Sequence, residues 1–249
     1  MNRFDNQTVL VTGGSSGIGL AAAKAYAREG ARVVITGRDG QALARAQAEI
    51  GNGALAVRND AGSVAEVKRL AALLKEQDIR LDVIFINAGV AKFAPLSDVA
   101  ESLWDDTFNA NVKGPYFQIQ ALTELLRPGA AIVINGSINA HIGMPNSSLY
   151  AASKAALISL ARSLSAELLP RGARVNVVSP GPIETPLYGK LGMDPETLAS
   201  TAAAIQGQIP LGRFGTAEEL ASTVLHLSAK ESAFIVGSEL IIDGGMSNL

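Results

Sequence analysis

Short runs dominated by aliphatic residues alternate with longer stretches of helical period along almost the whole chain. The runs are Val9–Val11, Arg32–Thr36, Ala54–Val57, Leu81–Ile86, Ala131–Ile134, Arg174–Val178 and Glu239–Asp243. Most lack the strict polar alternation of a half-exposed strand, so they read as strands buried on both faces. The stretches between them predict helices over Leu20–Arg28, Asp39–Ile50, Val64–Lys75, roughly Ala100–Leu126, Tyr150 to about Leu169, and Thr216–Ser228. In the third of these the apolar positions 64, 67, 70, 71 and 74 line one helix face. Gly30 is placed to end the first helix and Asp39 to cap the second. Proline removes a backbone donor, so the long helix is expected to be interrupted near Asn111–Pro115. Pro180 to about Gly212 reads as an irregular segment.

Strand followed by helix, repeated, calls for an α/β fold with right-handed crossovers. The expectation is a single-domain, Rossmann-type, doubly wound parallel sheet of seven strands with helices on both faces. No linker, repeat or low-complexity stretch divides the 249 residues, so one domain over 1–249 is the simplest organisation. The chain is 48% hydrophobic and 18% charged, which is ample for a core. A formal net charge of −2 without a basic block gives no support for nucleic-acid binding. There are no cysteines and only two histidines, which argues against thiol chemistry and a histidine metal site. The N-terminus lacks a signal-peptide core and no apolar run has membrane-spanning length, so a soluble, cytoplasmic protein is expected.

Candidate chemistry lies where the first run meets Thr12-Gly13-Gly14-Ser15-Ser16-Gly17-Ile18-Gly19. Strand, glycine loop and helix form the context in which backbone N–H groups and a helix N-terminus hold a pyrophosphate. A second candidate is Tyr150 with Lys154, four residues apart and therefore one turn apart on a helix face. A phenol alone has a pKa of about 10. An ammonium beside it is expected to lower that value toward the range useful for general acid–base work. Ser137 follows the Ala131–Ile134 run, so its hydroxyl is expected at the carboxyl edge of the sheet, where open α/β sheets place their chemistry.

These markers occur in a fixed order: the glycine loop, Asp60, Asn87-Ala88-Gly89, Asn111, Ser137, Tyr150 with Lys154, and Pro180-Gly181. In that order the chain resembles the short-chain dehydrogenase/reductase family over essentially its whole length. The tail from Pro210 to Met246 is similar to ketoacyl-carrier-protein reductases and bacterial ketone reductases of that family. The resemblance implies an NADP(H)-dependent oxidoreductase acting on a small-molecule carbonyl or alcohol, with an Asn111, Ser137, Tyr150 and Lys154 catalytic set. Tyr150 would be the general acid for ketone reduction, Lys154 would lower its pKa and bond the nicotinamide ribose, and Ser137 would donate to the substrate oxygen. In the family a water on the Asn111 carbonyl links the lysine to solvent. Pro115 cannot donate to that carbonyl and would leave it free, or else the proline is an ordinary kink.

By resemblance the cofactor would touch Gly13, Ser15, Ser16, Gly17, Ile18 and Gly19 in the loop, then Arg38, Asp60, Ala61, Asn87, Ala88 and Gly89. Tyr150, Lys154, Pro180, Gly181, Ile183 and Thr185 complete the set. The position that discriminates the two nicotinamide cofactors is Gly37, followed by Arg38. A missing carboxylate and an adjacent guanidinium favour NADP(H) over NAD(H). Asp39 is the complication, because a shift in register would put it on the ribose diol.

The substrate side is expected to include Ser137, Ile138, Asn139, Met144, Tyr150, Leu187 and Tyr188. Ala91, Phe93, Ala140, Leu149, Leu191 and Met193 lie nearby, and residues 182–212 would form a lid. This lining is largely apolar, which favours a hydrophobic ketone. A 3-oxoacyl-carrier-protein, a sugar, or a non-catalytic role as a redox sensor are the alternatives. Arg127, Arg162, Arg171 and Arg174 are the candidates for a basic carrier-protein patch. His226 is expected in an apolar stripe with Leu220, Val224 and Leu227, His141 at the pocket edge, and Trp104 in helix packing. The long helices would pair between subunits, with a homotetramer the usual family outcome.

Overall fold

The computed structural model describes residues 2–185 and 194–249. Seven parallel strands form one sheet in the order β3-β2-β1-β4-β5-β6-β7. They are β1 (Thr8–Thr12), β2 (Arg32–Gly37), β3 (Leu55–Arg58), β4 (Leu81–Ile86), β5 (Leu126–Asn135), β6 (Arg174–Pro180) and β7 (Glu239–Ile242). The helices are α1 (Gly17–Arg28), α2 (Gly40–Ile50), α3 (Val64–Glu76), α4 (Glu101–Phe108), α5 (Gly114–Leu122), α6 (Ser148–Leu168), α7 (Pro195–Gln206) and α8 (Ala217–Ser228).

The pleat explains why the strands are apolar throughout. Val9, Val11, Val33, Ile35, Val83 and Phe85 face one core, which α1, α2 and α8 close. Leu10, Val34, Ile84 and Ile86 face the other, closed by α3, α5 and α6. Each such side chain contributes about 1.5–3 kcal/mol when fully buried, so neither face tolerates a polar alternation. The chain winds outward from β1 to β3, then returns to build β4 to β7 on the other side. That reversal opens a crevice between β1 and β4 at the carboxyl ends of the strands.

Three expectations are corrected. The helix of 100–126 ends earlier than expected, since Leu126 already belongs to β5, while its expected interruption is a π-helical turn, Asn109–Lys113, between α4 and α5. Pro115 lacks the N–H that an α-helical turn would aim at Asn111, and the Gly114 N–H instead reaches the Asn109 carbonyl. Within the supposedly irregular 180–212 segment lies α7, capped by Asp194, whose carboxylate accepts from the Glu196 and Thr197 N–H groups. His226 is exposed, whereas Leu220, Val224 and Leu227 are buried. Two residues along a helix turn the side chain through some 200°, away from the Val224 face.

Candidate active site

The glycine loop is built by exclusion. Gly13 and Gly17 have φ of 65° and 52°, a region that disfavours a β-carbon. A β-carbon on Gly14 would meet Ile35 Cγ2 at 2.6 Å, and one on Gly19 would collide with the Gly13 carbonyl oxygen. The loop therefore lies flat on β2 and leads into α1. Ser16 makes no side-chain capping bond there, and the first turn has no acidic residue. Those N–H donors and the positive end of the helix dipole suit an anionic ligand.

Thr12 and Asn87 lock the crevice floor. Thr12 Oγ1 accepts from the N–H groups of Asn87 (2.9 Å) and Ala88 (3.0 Å). Asn87 Nδ2 donates to the Thr12 carbonyl at 3.0 Å, and Asn135 Nδ2 donates to Asn87 Oδ1 at 3.0 Å. Strands β1, β4 and β5 are thus joined by side chains where their ladders end. At Gly89 a β-carbon would sit 3.0 Å from Asn111 Oδ1 and 3.8 Å from Lys154 Nζ. On the far side Gly181 closes on Asp243, whose Cα lies 2.7 Å from where its β-carbon would be. Ile183 is buried and bridges Gly215, and Thr185 follows at the edge of the described residues.

Beyond the carboxyl end of β3, Asp60 Oδ1 accepts from the Gly62 N–H at 3.0 Å, so this aspartate shapes a turn. The Ala61 carbonyl accepts from Gln118 Nε2 at 3.3 Å. Two buried acceptors nearby, Asn59 Oδ1 and Gln118 Oε1, find no partner on the protein, as an adenine amino group would require. Asp39 is the cap of α2: its Oδ1 accepts from Gln41 and Ala42 at 2.9 and 3.1 Å. The register of β2 and β3 sets Arg58 directly beside Gly37. Arg58 Nε donates to the Arg38 carbonyl at 3.1 Å, which brings the Arg58 guanidinium to the Arg38 backbone. Sequence reasoning missed Arg58, because only the strand register brings it to Gly37. The donors present fit a dinucleotide: backbone N–H groups for its pyrophosphate, and acceptors and guanidinium groups for its adenosine end.

Ser137, just past the end of β5, comes together with Tyr150 and Lys154 of α6. Ser137 lies close enough to the Tyr150 phenol to act on its proton, while its Oγ donates to Asn139 Oδ1 at 3.3 Å and accepts from the Asn139 N–H at 3.2 Å. Lys154 Nζ donates to the Asn135 carbonyl at 2.7 Å and lies 5.7 Å from the Tyr150 ring centroid. The expected lowering of the tyrosine pKa is corrected. Burial raises it, and the Ser137 bond opposes only in part. Burial also pushes Lys154 down to about 8, because a desolvated ammonium loses its charge more readily. In the cofactor-free protein each group is held toward its neutral form.

Asn111 acts through its side chain. Its Oδ1 accepts from the Val90 N–H at 2.8 Å, and its Nδ2 donates to the Val90 carbonyl (2.9 Å) and Ser153 Oγ (3.0 Å). Ser153 in turn donates to the Tyr150 carbonyl at 2.7 Å. The π-turn thereby clamps the chain after β4 to the helix of Tyr150. Ser153 was missed by sequence reasoning, although its place between Tyr150 and Lys154 marks it.

On the substrate side Phe93 meets Tyr150 edge to face, with centroids 5.4 Å apart. Met144 is exposed, Asn139 half-buried and Ile138 buried, so Ile138 is closed off from a ligand here. Leu187, Tyr188, Leu191 and Met193 lie outside the described residues, as does part of the expected lid. Arg174 is no surface cation: it is 7% exposed and donates to the carbonyls of Leu227, Ala229 and Ile235. Arg127 pairs with Asp82, and Arg171 with Glu124.

Crevice, glycine loop and the Ser137–Tyr150–Lys154 cluster together define a dinucleotide-binding oxidoreductase. Residues 13–247 match a family model described as enoyl-(acyl carrier protein) reductase. The chain is 33% identical to 2-(S)-hydroxypropyl-CoM dehydrogenase 3 of Xanthobacter autotrophicus, covering 99% of this chain and 98% of that one. It is 36% identical to L-rhamnose 1-dehydrogenase (NAD(P)(+)) of Azotobacter vinelandii, over 97% and 96%. A short-chain dehydrogenase from Burkholderia cenocepacia, solved with NADP, superposes with a TM-score of 0.90 at 34% identity, over 98% and 99%. The chain belongs to the short-chain dehydrogenase/reductase family.

Proposed function

We propose that the protein is an NADP(H)-dependent carbonyl reductase that converts a hydrophobic ketone to a secondary alcohol, reversibly. The observation that carries this reading is the half-buried Tyr150, its phenol beside the Ser137 hydroxyl, one turn from Lys154 and edge to face with Phe93. The nicotinamide supplies the hydride. The chain's own groups do the rest. Ser137 donates to the ketone oxygen as negative charge builds there. Tyr150 gives that oxygen its proton, and its raised pKa keeps the proton in place at neutral pH, the state that reduction needs. Lys154, anchored on the Asn135 carbonyl, stabilises the phenolate left behind. Asn111 is a positioning residue, holding the Val90 chain and α6 in register.

The choice of NADP(H) is supported by three features together: no carboxylate at Gly37, Asp39 engaged as a helix cap, and Arg38 with Arg58 where a 2′-phosphate would lie. Self-association, with a homotetramer as the reading, is consistent with a mostly apolar depression of Phe108, Val112, Tyr116, Phe117 and Leu160, edged by Asn109 and Lys113, on α4, the π-helical turn, α5 and α6.

The test is cofactor oxidation against aryl ketones, small ketones, a ketoacyl thioester and sugars, with NADPH and NADH compared. Ketone turnover should prefer NADPH, and Tyr150→Phe should lose it by about 10²–10⁴-fold. Preference for NADH, or undiminished turnover in Tyr150→Phe, would overturn the reading. Turnover of the sugar or the thioester alone would replace the ketone.

A further inference from the structure

Outside the Ser137–Tyr150–Lys154 cluster lies a second group of polar side chains with no role assigned so far. His141 Nε2 donates to Glu239 Oε1 at 2.6 Å, across 98 residues of sequence. Ser179 Oγ donates to the same Oε1, also at 2.6 Å. The Glu239 side chain is 11% exposed, and it opens β7, the outermost strand of the sheet.

The placement of these three residues brackets Ser137. On one side Gly136 packs directly on Ser179: a β-carbon at 136 would meet Ser179 Oγ at 2.5 Å. On the other side Ser137 opens the 3-10 turn Ile138–Ala140, which His141 closes by donating its N–H to Ile138 at 2.8 Å. Both ends of the segment 136–141 are thus referred to one carboxylate oxygen, through Ser179 at the start and His141 at the end. Between them the Ser137 hydroxyl must face the Tyr150 phenol, its Oγ also accepting from the Asn139 N–H at 3.2 Å and donating to Asn139 Oδ1 at 3.3 Å.

We infer that Glu239, with His141 and Ser179, is a positioning set that holds the Ser137 hydroxyl in line with Tyr150. The inference rests on the reductase reading of the site. Two short hydrogen bonds to a carboxylate are each strong enough to matter. Releasing them leaves the tyrosine and lysine untouched and lets the serine segment wander. The loss falls on the reacting complex, because that is where the Ser137 bond to the substrate oxygen strengthens.

The experiment combines two readouts. In the first, hydrogen exchange of the cofactor-free protein is followed by mass spectrometry. Glu239→Ala and the more exposed His141→Gln should speed exchange over 138–147 and leave residues 13–19 unchanged. In the second, Glu239→Ala should lower kcat about tenfold, the loss expected for a charge-assisted hydrogen bond, with NADPH affinity unaltered. Glu239→Gln keeps an acceptor for Ser179 and should recover most of that loss. In a Ser137→Ala background, Glu239→Ala should have no further effect on kcat. Unchanged exchange over 138–147 in both variants, or an equal loss of kcat with and without Ser137, would overturn the inference. A wild-type enzyme inactive toward every carbonyl would overturn the reductase reading instead, while the exchange result still judges the positioning set. Should Glu239→Ala fail to fold, His141→Gln carries both readouts.

Discussion

Around the glycine loop the chain is fixed by contacts that leave no room for a β-carbon. The 138–147 loop, on the other side of the crevice, is tied by single side-chain hydrogen bonds. Gly14 against Ile35 and Gly19 against the Gly13 carbonyl are steric limits with no alternative residue. Across the crevice the side-chain ties are Asn139 N–H to Ser137 Oγ, His141 to Glu239 and Ser147 Oγ to the Met144 carbonyl, beside one backbone bond from the Ala94 N–H to the Asn146 carbonyl. Each of these side chains can be exchanged for another polar group. The difference matches the tasks. A dinucleotide presents the same pyrophosphate to every relative, whereas substrates differ, so the first wall is built to be invariant and the second to be adjustable.

The largest expected effect strikes the first wall. Gly19→Ala forces a β-carbon against backbone and Asn87, and should cost about 3 kcal/mol or more of stability together with dinucleotide binding. Urea unfolding and NADPH fluorescence would read it, and near-wild-type values of both would dissolve the contrast between the walls.

Next in size is the buried cation between them. The folded protein releases the Lys154 proton at about 8, the unfolded chain near the ordinary 10.5. Between those values the unfolded chain holds more protons, so this group makes stability rise with pH across the window, by up to ~3 kcal/mol. Tyr150 acts oppositely and higher, because its raised pKa means that the folded state keeps a proton the unfolded chain loses. Unfolding free energies of wild type and Lys154→Met, measured from pH 7 to 10, should show the wild type gaining on the variant as pH rises. Parallel curves would mean that Lys154 titrates normally.

The smallest effect on stability belongs to the second wall. Phe93 is 41% exposed, so Phe93→Ala should change unfolding by less than about 1 kcal/mol. The same change removes the edge contact with Tyr150 and should raise KM for a bulky aryl ketone by roughly tenfold. A stability loss comparable to that of Gly19→Ala would show that both walls are steric.

What the sequence revealed follows the same division. The strands were legible because burial on both faces demands uninterrupted aliphatic residues, and the glycine loop because its steric demands leave one residue type. The pairing of Arg58 with Gly37 was not legible, since register is a long-range outcome of two strands settling side by side. Nor was the direction of the Tyr150 shift: spacing on a helix reports the neighbouring charge, but only packing reports the loss of water. Helix α7 did carry a signal, Asp194-Pro195-Glu196, a cap residue followed by proline at the first helical position. The glycines and prolines around it hid that signal.

Arg174 has a consequence for how the protein is made. Among the described residues its guanidinium is held by carbonyls that lie 53 to 61 residues later in the chain. A nascent chain that has just completed β6 therefore carries a cation that cannot be enclosed until the chain through Ile235 has been made. The Leu227–Ile235 stretch then acts as the closing stitch over this part of the sheet.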